Sequence, residues 1–165
     1  MSVADALERA RERWEERATR GDHQLELACR DHGSAAVSDE DLAIVLDNLI
    51  ENALVYSPGG GTVTLECGRD GREALIAVED EGPGLVPGEE ERVFERFARG
   101  SSGGGTQGTG LGLAIVATLA RRWGGSARIA NRPLGGARAE VRLPEASGSL
   151  QSPNKSLDEA LPDPV

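Results

Sequence analysis

The chain is predicted to fold as an α+β two-layer sandwich, a mixed, mostly antiparallel sheet covered on one face by three helices. Three observations predict it. Three stretches carry apolar residues at helical spacing, and five short stretches alternate apolar and polar residues. Their order is helix, strand, helix, strand, strand, helix, strand, strand, and no internal repeat interrupts it. Helices with one apolar stripe and neighbouring strands joined by short turns bury their apolar sides best as two layers.

The first helix is expected over residues 3–19, where Val3, Leu7, Ala10, Trp14 and Ala18 recur and Arg and Glu fill the other face, with Gly21 as its stop. A strand follows over 24–30, marked by Leu25, Leu27 and Cys29. Ser38 or Asp39 caps a second helix that runs to Tyr56 and ends at Ser57-Pro58-Gly59-Gly60-Gly61. Its core stripe is Leu42, Val45, Leu46, Leu49 and Ala53. Strands over 62–67 and 74–79 flank the hairpin signal Asp70-Gly71. A short helical stretch is expected over 89–99, with Phe94 and Phe97 anchored in an apolar groove. Residues 100–109 are nearly all Gly, Ser and Thr and read as a mobile loop. A third helix runs from about Gly110 to Trp123, stopped by Gly124-Gly125, and strands over 126–130 and 137–143 close the sheet. The domain is thus expected over 1–144, with a disordered tail over 145–165 rich in Ser, Pro, Asn and acids.

Composition narrows the function. A formal net charge of -10 argues against nucleic acid as a partner, because that needs a basic field. A nucleotide is still admissible, since backbone amides, a few cations and a metal can hold it locally. Cys29 and Cys67 are read as reduced thiols of a cytoplasmic protein, since they sit singly in apolar-alternating runs. No run is long enough to span a membrane and no signal-peptide pattern opens the chain; any membrane part of the protein would lie elsewhere.

Four constellations carry possible chemistry, and each also has an ordinary reading. Asn48 and Asn52 lie one turn apart on one helix face, where their amide oxygens suit a hard cation such as Mg²⁺; two solvent-facing amides would look the same. Asp80-Glu81-Gly82-Pro83-Gly84 follows a buried-looking strand. Its carboxylate could accept from an exocyclic amine such as that of adenine, and the glycines admit a flat ring; it is equally an acidic turn. Val93 to Gly100 offers Arg96 and Arg99 to phosphate oxygens, or two solvated arginines. Gly108-Thr109-Gly110-Leu111-Gly112 opens a helix and frees successive amides for phosphate, or is a flexible linker. It is not a Walker loop, having no Lys-Ser/Thr after the glycines, and it lacks the parallel strand-helix-strand setting of a dinucleotide fingerprint.

Taken in order, the four resemble the boxes of the GHKL ATPase superfamily with its Bergerat fold, and more narrowly the catalytic ATP-binding domain of sensor histidine kinases. Asn48 to Ser57 resembles the Asn box, Asp80 to Gly84 the first glycine box, Val93 to Arg99 the Phe box and Gly108 to Gly112 the second glycine box. The resemblance covers residues 3–144. It implies ATP and Mg²⁺ as ligands, with Asn52 and Asn48 at the metal, joined by Gln107. Tyr56 should lie against the nucleotide and Asp80 should accept from the adenine amino group, with Gly82 and Gly84 shaping the base pocket. Arg99 and Arg96 should contact phosphate, and Gly108, Thr109, Gly110, Leu111 and Gly112 should supply phosphate-binding amides. One departure is Val55, where the family often has Lys.

The resemblance implies phosphoryl transfer to a histidine on a separate dimerising phosphoacceptor domain, with a response regulator downstream. That hairpin's motif is absent here, and His23 and His32 read as surface or satisfied core residues. The chain is therefore expected to be a cytoplasmic domain that binds ATP without phosphorylating itself. Hydrolases of the superfamily carry a general-base Glu where this chain has Asn48, which disfavours hydrolysis. A serine kinase of the anti-sigma type and a nucleotide module without catalysis are the alternatives.

Overall fold

The computed structural model describes residues 1–98 and 110–146. The expected sandwich is present: helices α1 (Val3–Arg20), α2 (Asp39–Tyr56) and α3 (Gly112–Arg122), and strands β1 (Gln24–Cys29), β2 (Thr62–Asp70), β3 (Glu73–Glu79), β4 (Ser126–Asn131) and β5 (Ala137–Pro144). The five strands form one sheet in the order β1-β2-β3-β5-β4. β1 runs parallel to β2, and every other neighbouring pair is antiparallel.

Local chemistry sets the helix starts. Ser2 and Ser38 each turn a side-chain oxygen onto the amide three residues on, Asp5 and Asp41, satisfying a donor that the first turn leaves free. Three acids, Asp39, Glu40 and Asp41, sit where the α2 dipole favours negative charge. Tertiary pairs then orient the helices. Trp123 Nε1 donates to Asp41 Oδ2 at 2.7 Å and ties α3 to α2.

The core lies between helices and sheet. Leu7, Leu42, Leu46, Leu49 and Ile50 from the helices meet Val63, Leu65, Ile76, Val78, Val141 and Leu143 from alternate strand positions. The other sheet face is charged. Arg138 Nη1 sits 2.6 Å from Glu66 and 2.6 Å from Glu79, while Glu140 takes Arg128 at 2.6 Å and Arg142 at 3.0 Å. Burial alone would raise Glu140, but its arginines outweigh that and hold its carboxyl below the usual range.

Four expectations are corrected. Cys29 and Cys67 are not free thiols: they are partners in the parallel β1–β2 register, with Cα atoms 4.5 Å apart, and are joined as a disulfide. Within the expected stretch 89–99, the described residues 89–98 form no helix beyond a single 3-10 turn, Arg92–Phe94. The reason is that Val93 is buried and Phe94 only partly so, leaving no second apolar position to hold a longer helix against the core. Phe97 is not anchored but 73% exposed. The hairpin turn is Gly71-Arg72, since Asp70 pairs with Glu73. The order of the loop at 100–109 and of the tail beyond 146 lies outside the described residues. Glu145 and Ala146 are held, their amides donating to Arg72 and Ser34 carbonyls at 2.9 and 3.0 Å.

Candidate functional site

Strand β3 is apolar along its length and ends by delivering Asp80 into a buried position, 4% exposed. A carboxylate there needs donors, and it has them. Asp80 Oδ1 accepts from the amides of Gly82 at 2.9 Å and Ala137 at 3.2 Å, while Asp80 N donates to the Ala137 carbonyl at 3.0 Å. Oδ2 takes no hydrogen bond from any described residue, so one oxygen remains for a ligand donor. Burial pushes the Asp80 carboxyl above the usual range, and the two amides only partly offset this.

The neighbouring glycine is fixed by close approach. A Cβ at Gly82 would stand 2.4 Å from the Tyr56 carbonyl oxygen, so the end of α2 and the Asp80 turn touch backbone to backbone. The Tyr56 backbone thereby meets the turn that carries Asp80 and Gly82. Gly84 has φ +76 and lies against the Asn131 side chain. Glu81 faces away from Asp80, its Oε2 accepting from Thr62 N at 2.7 Å.

Helix α2 presents two sets of polar residues. Asp47 accepts from Trp14 Nε1 at 2.8 Å and Arg13 at 2.7 Å, and Glu51 pairs with Arg17 at 3.0 Å, so both acids belong to the α1 contact. Asn48 turns toward α3: a Cβ at Gly112 would lie 3.1 Å from its Oδ1. Its Nδ2 donates to the Ile44 carbonyl at 2.8 Å, leaving Oδ1 without a donor among the described residues. The Asn52 side chain, one turn on, is half-buried and makes no hydrogen bond to the described residues. Free amide oxygens on neutral side chains fit a hard cation whose remaining charge comes from phosphate.

The glycine-rich segment enters the described residues at Gly110, where φ is +70 and the carbonyl accepts from Phe97 N at 2.9 Å. Phe97 itself has φ 62. Leu111, the N-cap residue of α3, makes no side-chain hydrogen bond to the first turn, which starts at Gly112. Arg96 is exposed and has no ion pair or hydrogen bond among the described residues, so nothing ties it to the pocket. Arg99, Gln107, Gly108 and Thr109 lie outside the described residues. Three contributors were not singled out from sequence: Asn131, the last residue of β4, and Arg132 and Gly136 in the turn to β5.

Residues 37–147 match the model of the histidine kinase-, DNA gyrase B- and HSP90-like ATPases. The chain belongs to this family. Within it, this ATPase domain is of the histidine kinase type. It is 45% identical over 107 residues to the sensor-type histidine kinase PrrB of Mycobacterium tuberculosis, covering 64% of this chain and 23% of PrrB. It is 41% identical over 101 residues to the sensor protein KdpD of Escherichia coli, covering 61% of this chain and 11% of KdpD. The chain thus spans a quarter or less of those two relatives. Among solved structures it superposes on the mycobacterial sensor histidine kinase MprB with TM-score 0.80 at 29% identity, over 88% of this chain and 97% of that one. The crystal structure of the PrrB ATP-binding domain from Mycobacterium tuberculosis aligns with TM-score 0.71 at 33% identity, over 89% and 96%. Among the described residues, no helix is long and apolar enough to cross a membrane.

Proposed function

We propose that residues 1–144 form one unit that binds Mg-ATP and donates its terminal phosphoryl group to a histidine on a separate dimerisation and phosphoacceptor domain, for relay to a response regulator. The observation that carries the reading is Asp80: a buried carboxylate with one oxygen held by two amides and the other without a donor among the described residues, beside a glycine that lets the end of α2 approach. It selects adenine through the exocyclic amine, with Tyr56, Gly82 and Gly84 around the base. Asn52 and Asn48 hold magnesium through their amide oxygens, joined by Gln107. Gly108, Thr109, Gly110, Leu111 and Gly112 offer amides to the phosphates, and Arg99 and Arg96 pair with phosphate oxygens.

Bound magnesium supplies charge neutralisation on the phosphates. The chain's own part is positioning, which is most of what phosphoryl transfer requires. The imidazole nitrogen bonds the terminal phosphorus as the bond to the bridging oxygen breaks; ADP leaves and the imidazole proton passes to solvent. Asn48 cannot act as a base toward water, which favours transfer over hydrolysis. Dependence on ATP places the domain in the cytoplasm.

Titration of Mg-ATP against the wild type and Asp80→Ala tests the binding half. The wild type should saturate and Asp80→Ala should lose about tenfold or more in affinity, the scale of a hydrogen bond to a charged group. Absence of saturable, Asp80-dependent binding would mean a dead pocket. For the transfer half, the chain alone should yield no acid-labile phosphohistidine, and adding a His-bearing hairpin domain should produce it; a stable phosphohistidine on the isolated chain overturns this division of labour.

A further inference from the structure

Asp80 is aimed by residues that never meet the nucleotide in the proposed reading. The loop after β3 crosses the end of the β4–β5 hairpin, and the hairpin grips it at two points. At the Asp80 end, the Ala137 carbonyl accepts from Asp80 N and the Ala137 amide donates to Oδ1. Arg132 Nη1 donates to the Asp80 carbonyl at 2.7 Å while its Nε sits 3.2 Å from Glu79 Oε2. Gly136 makes the approach possible, since a Cβ there would stand 1.9 Å from the Asp80 carbonyl oxygen.

At the far end of the loop, one side chain does the work of a strand. Asn131 Oδ1 accepts from Leu85 N at 2.6 Å and Asn131 Nδ2 donates to Leu85 O at 2.8 Å. Both backbone groups of Leu85 are thus paired by a single amide, as a neighbouring β-strand would pair them. Asn131 is the last residue of the edge strand β4 and registers with Ala137, so one rung of the sheet holds both ends of the loop. Asn131 is also exposed, so its contribution to the core is small.

We infer that Asn131 is a positioning residue for nucleotide selection: its amide clamp on Leu85, with Arg132 on the Asp80 carbonyl, holds the Asp80–Gly84 loop in the shape that points the free carboxylate oxygen at the base. The inference rests on the adenine reading of Asp80. It makes Asn131 act through Asp80, so the loss on removing it falls on the base and not on the phosphates. Shape held in advance spares the loop its ordering cost on binding.

The test compares ATP with purine riboside triphosphate, which lacks only the 6-amino group, each titrated with magnesium against the full chain. The wild type should prefer ATP. In Asn131→Ala that preference should collapse toward unity, through a loss of about tenfold in ATP affinity, matching two hydrogen bonds of ordinary net strength. Asn131→Asp keeps the acceptor for Leu85 N and loses the donor, and should fall between the two. Thermal melts of both variants should stay near the wild type. An equal loss for both nucleotides, or an unchanged preference, overturns the inference while leaving the ATP reading standing. A wild type that binds neither nucleotide overturns both.

Discussion

At the base end of the pocket, Asp80 and its loop are held by β3, β5, the β4–β5 turn and the end of α2. At the other end, Phe97 and Gly110 are joined by a backbone hydrogen bond, and α3 begins without a side-chain cap. The first end spends buried hydrogen bonds and backbone contacts on one fixed shape. The second leaves the Asn48 oxygen without a donor among the described residues. The contrast suits a ligand with a flat, constant base and a charged tail whose charge and metal change during use. On the proposed reading, selectivity would belong to the fixed end and turnover to the open one.

The sharpest way to break the fixed end is Gly136→Ala. The residue has φ +84 and an added Cβ would stand 1.9 Å from the Asp80 carbonyl oxygen, so the substitution both strains the backbone and collides with that carbonyl. Urea denaturation should show a loss of about 3 kcal/mol or more, with Mg-ATP binding abolished. Reducing the Cys29–Cys67 disulfide probes a part of the sheet outside either end. The bond spans 38 residues and should contribute roughly 2–4 kcal/mol to stability, read as a lower melting temperature in reductant, with nucleotide affinity unchanged. Gly82→Ala should cost about 2 kcal/mol in ATP binding, because its Cβ would press the Tyr56 carbonyl at 2.4 Å.

The Asp80 carboxyl gives a pH test of the same end. Its pKa is raised by burial, so ATP affinity should begin to fall at a pH above the ordinary carboxylate range as solutions are acidified. The sign for stability is opposite. A raised folded-state pKa contributes stability below the unfolded pKa, and that contribution is lost as pH rises through the folded value. Asp80→Asn should therefore melt no lower than wild type at neutral pH while binding ATP poorly, as paired melts and titrations would show. The smallest effect is expected from Gly112→Ala at the open end. The three nearest atoms to its Cβ all belong to Asn48, the first at 3.1 Å, so stability should change by less than about 0.5 kcal/mol. If Gly112→Ala matched Gly82→Ala in its loss of ATP affinity, the contrast between the two ends would fail.

Much of the fold was legible because it rests on periodicity. Leu42, Val45, Leu46, Leu49 and Ala53 mark their own helix face, and Ser38 marks its start. Asp80 was singled out by its place in the order of the four boxes, since an acidic Pro/Gly turn taken alone reads as ordinary. Asn131, Arg132 and Gly136 were not, because their meaning comes from the Asp80–Ala137 contact across the sheet, which no local pattern records. The disulfide was missed for the same reason: nothing local says that residues so far apart pair in parallel register. Phe97 misled in the other direction. Its type suggested burial, but its backbone turns at φ 62 to meet Gly110 and carries the ring outward.

The interleaving of α2 limits how this domain can change length. Asp47 and Glu51 face α1, while Asn48 faces α3 and shares its helix row with Asn52, each one step along from its acidic neighbour. One residue added before Asp47 would turn everything after it by about 100° about the helix axis. Both sets of contacts would then be lost in the same event. The helix therefore tolerates exchanges of letters far better than a shift of frame, and viable insertions should gather in the loops on either side of it.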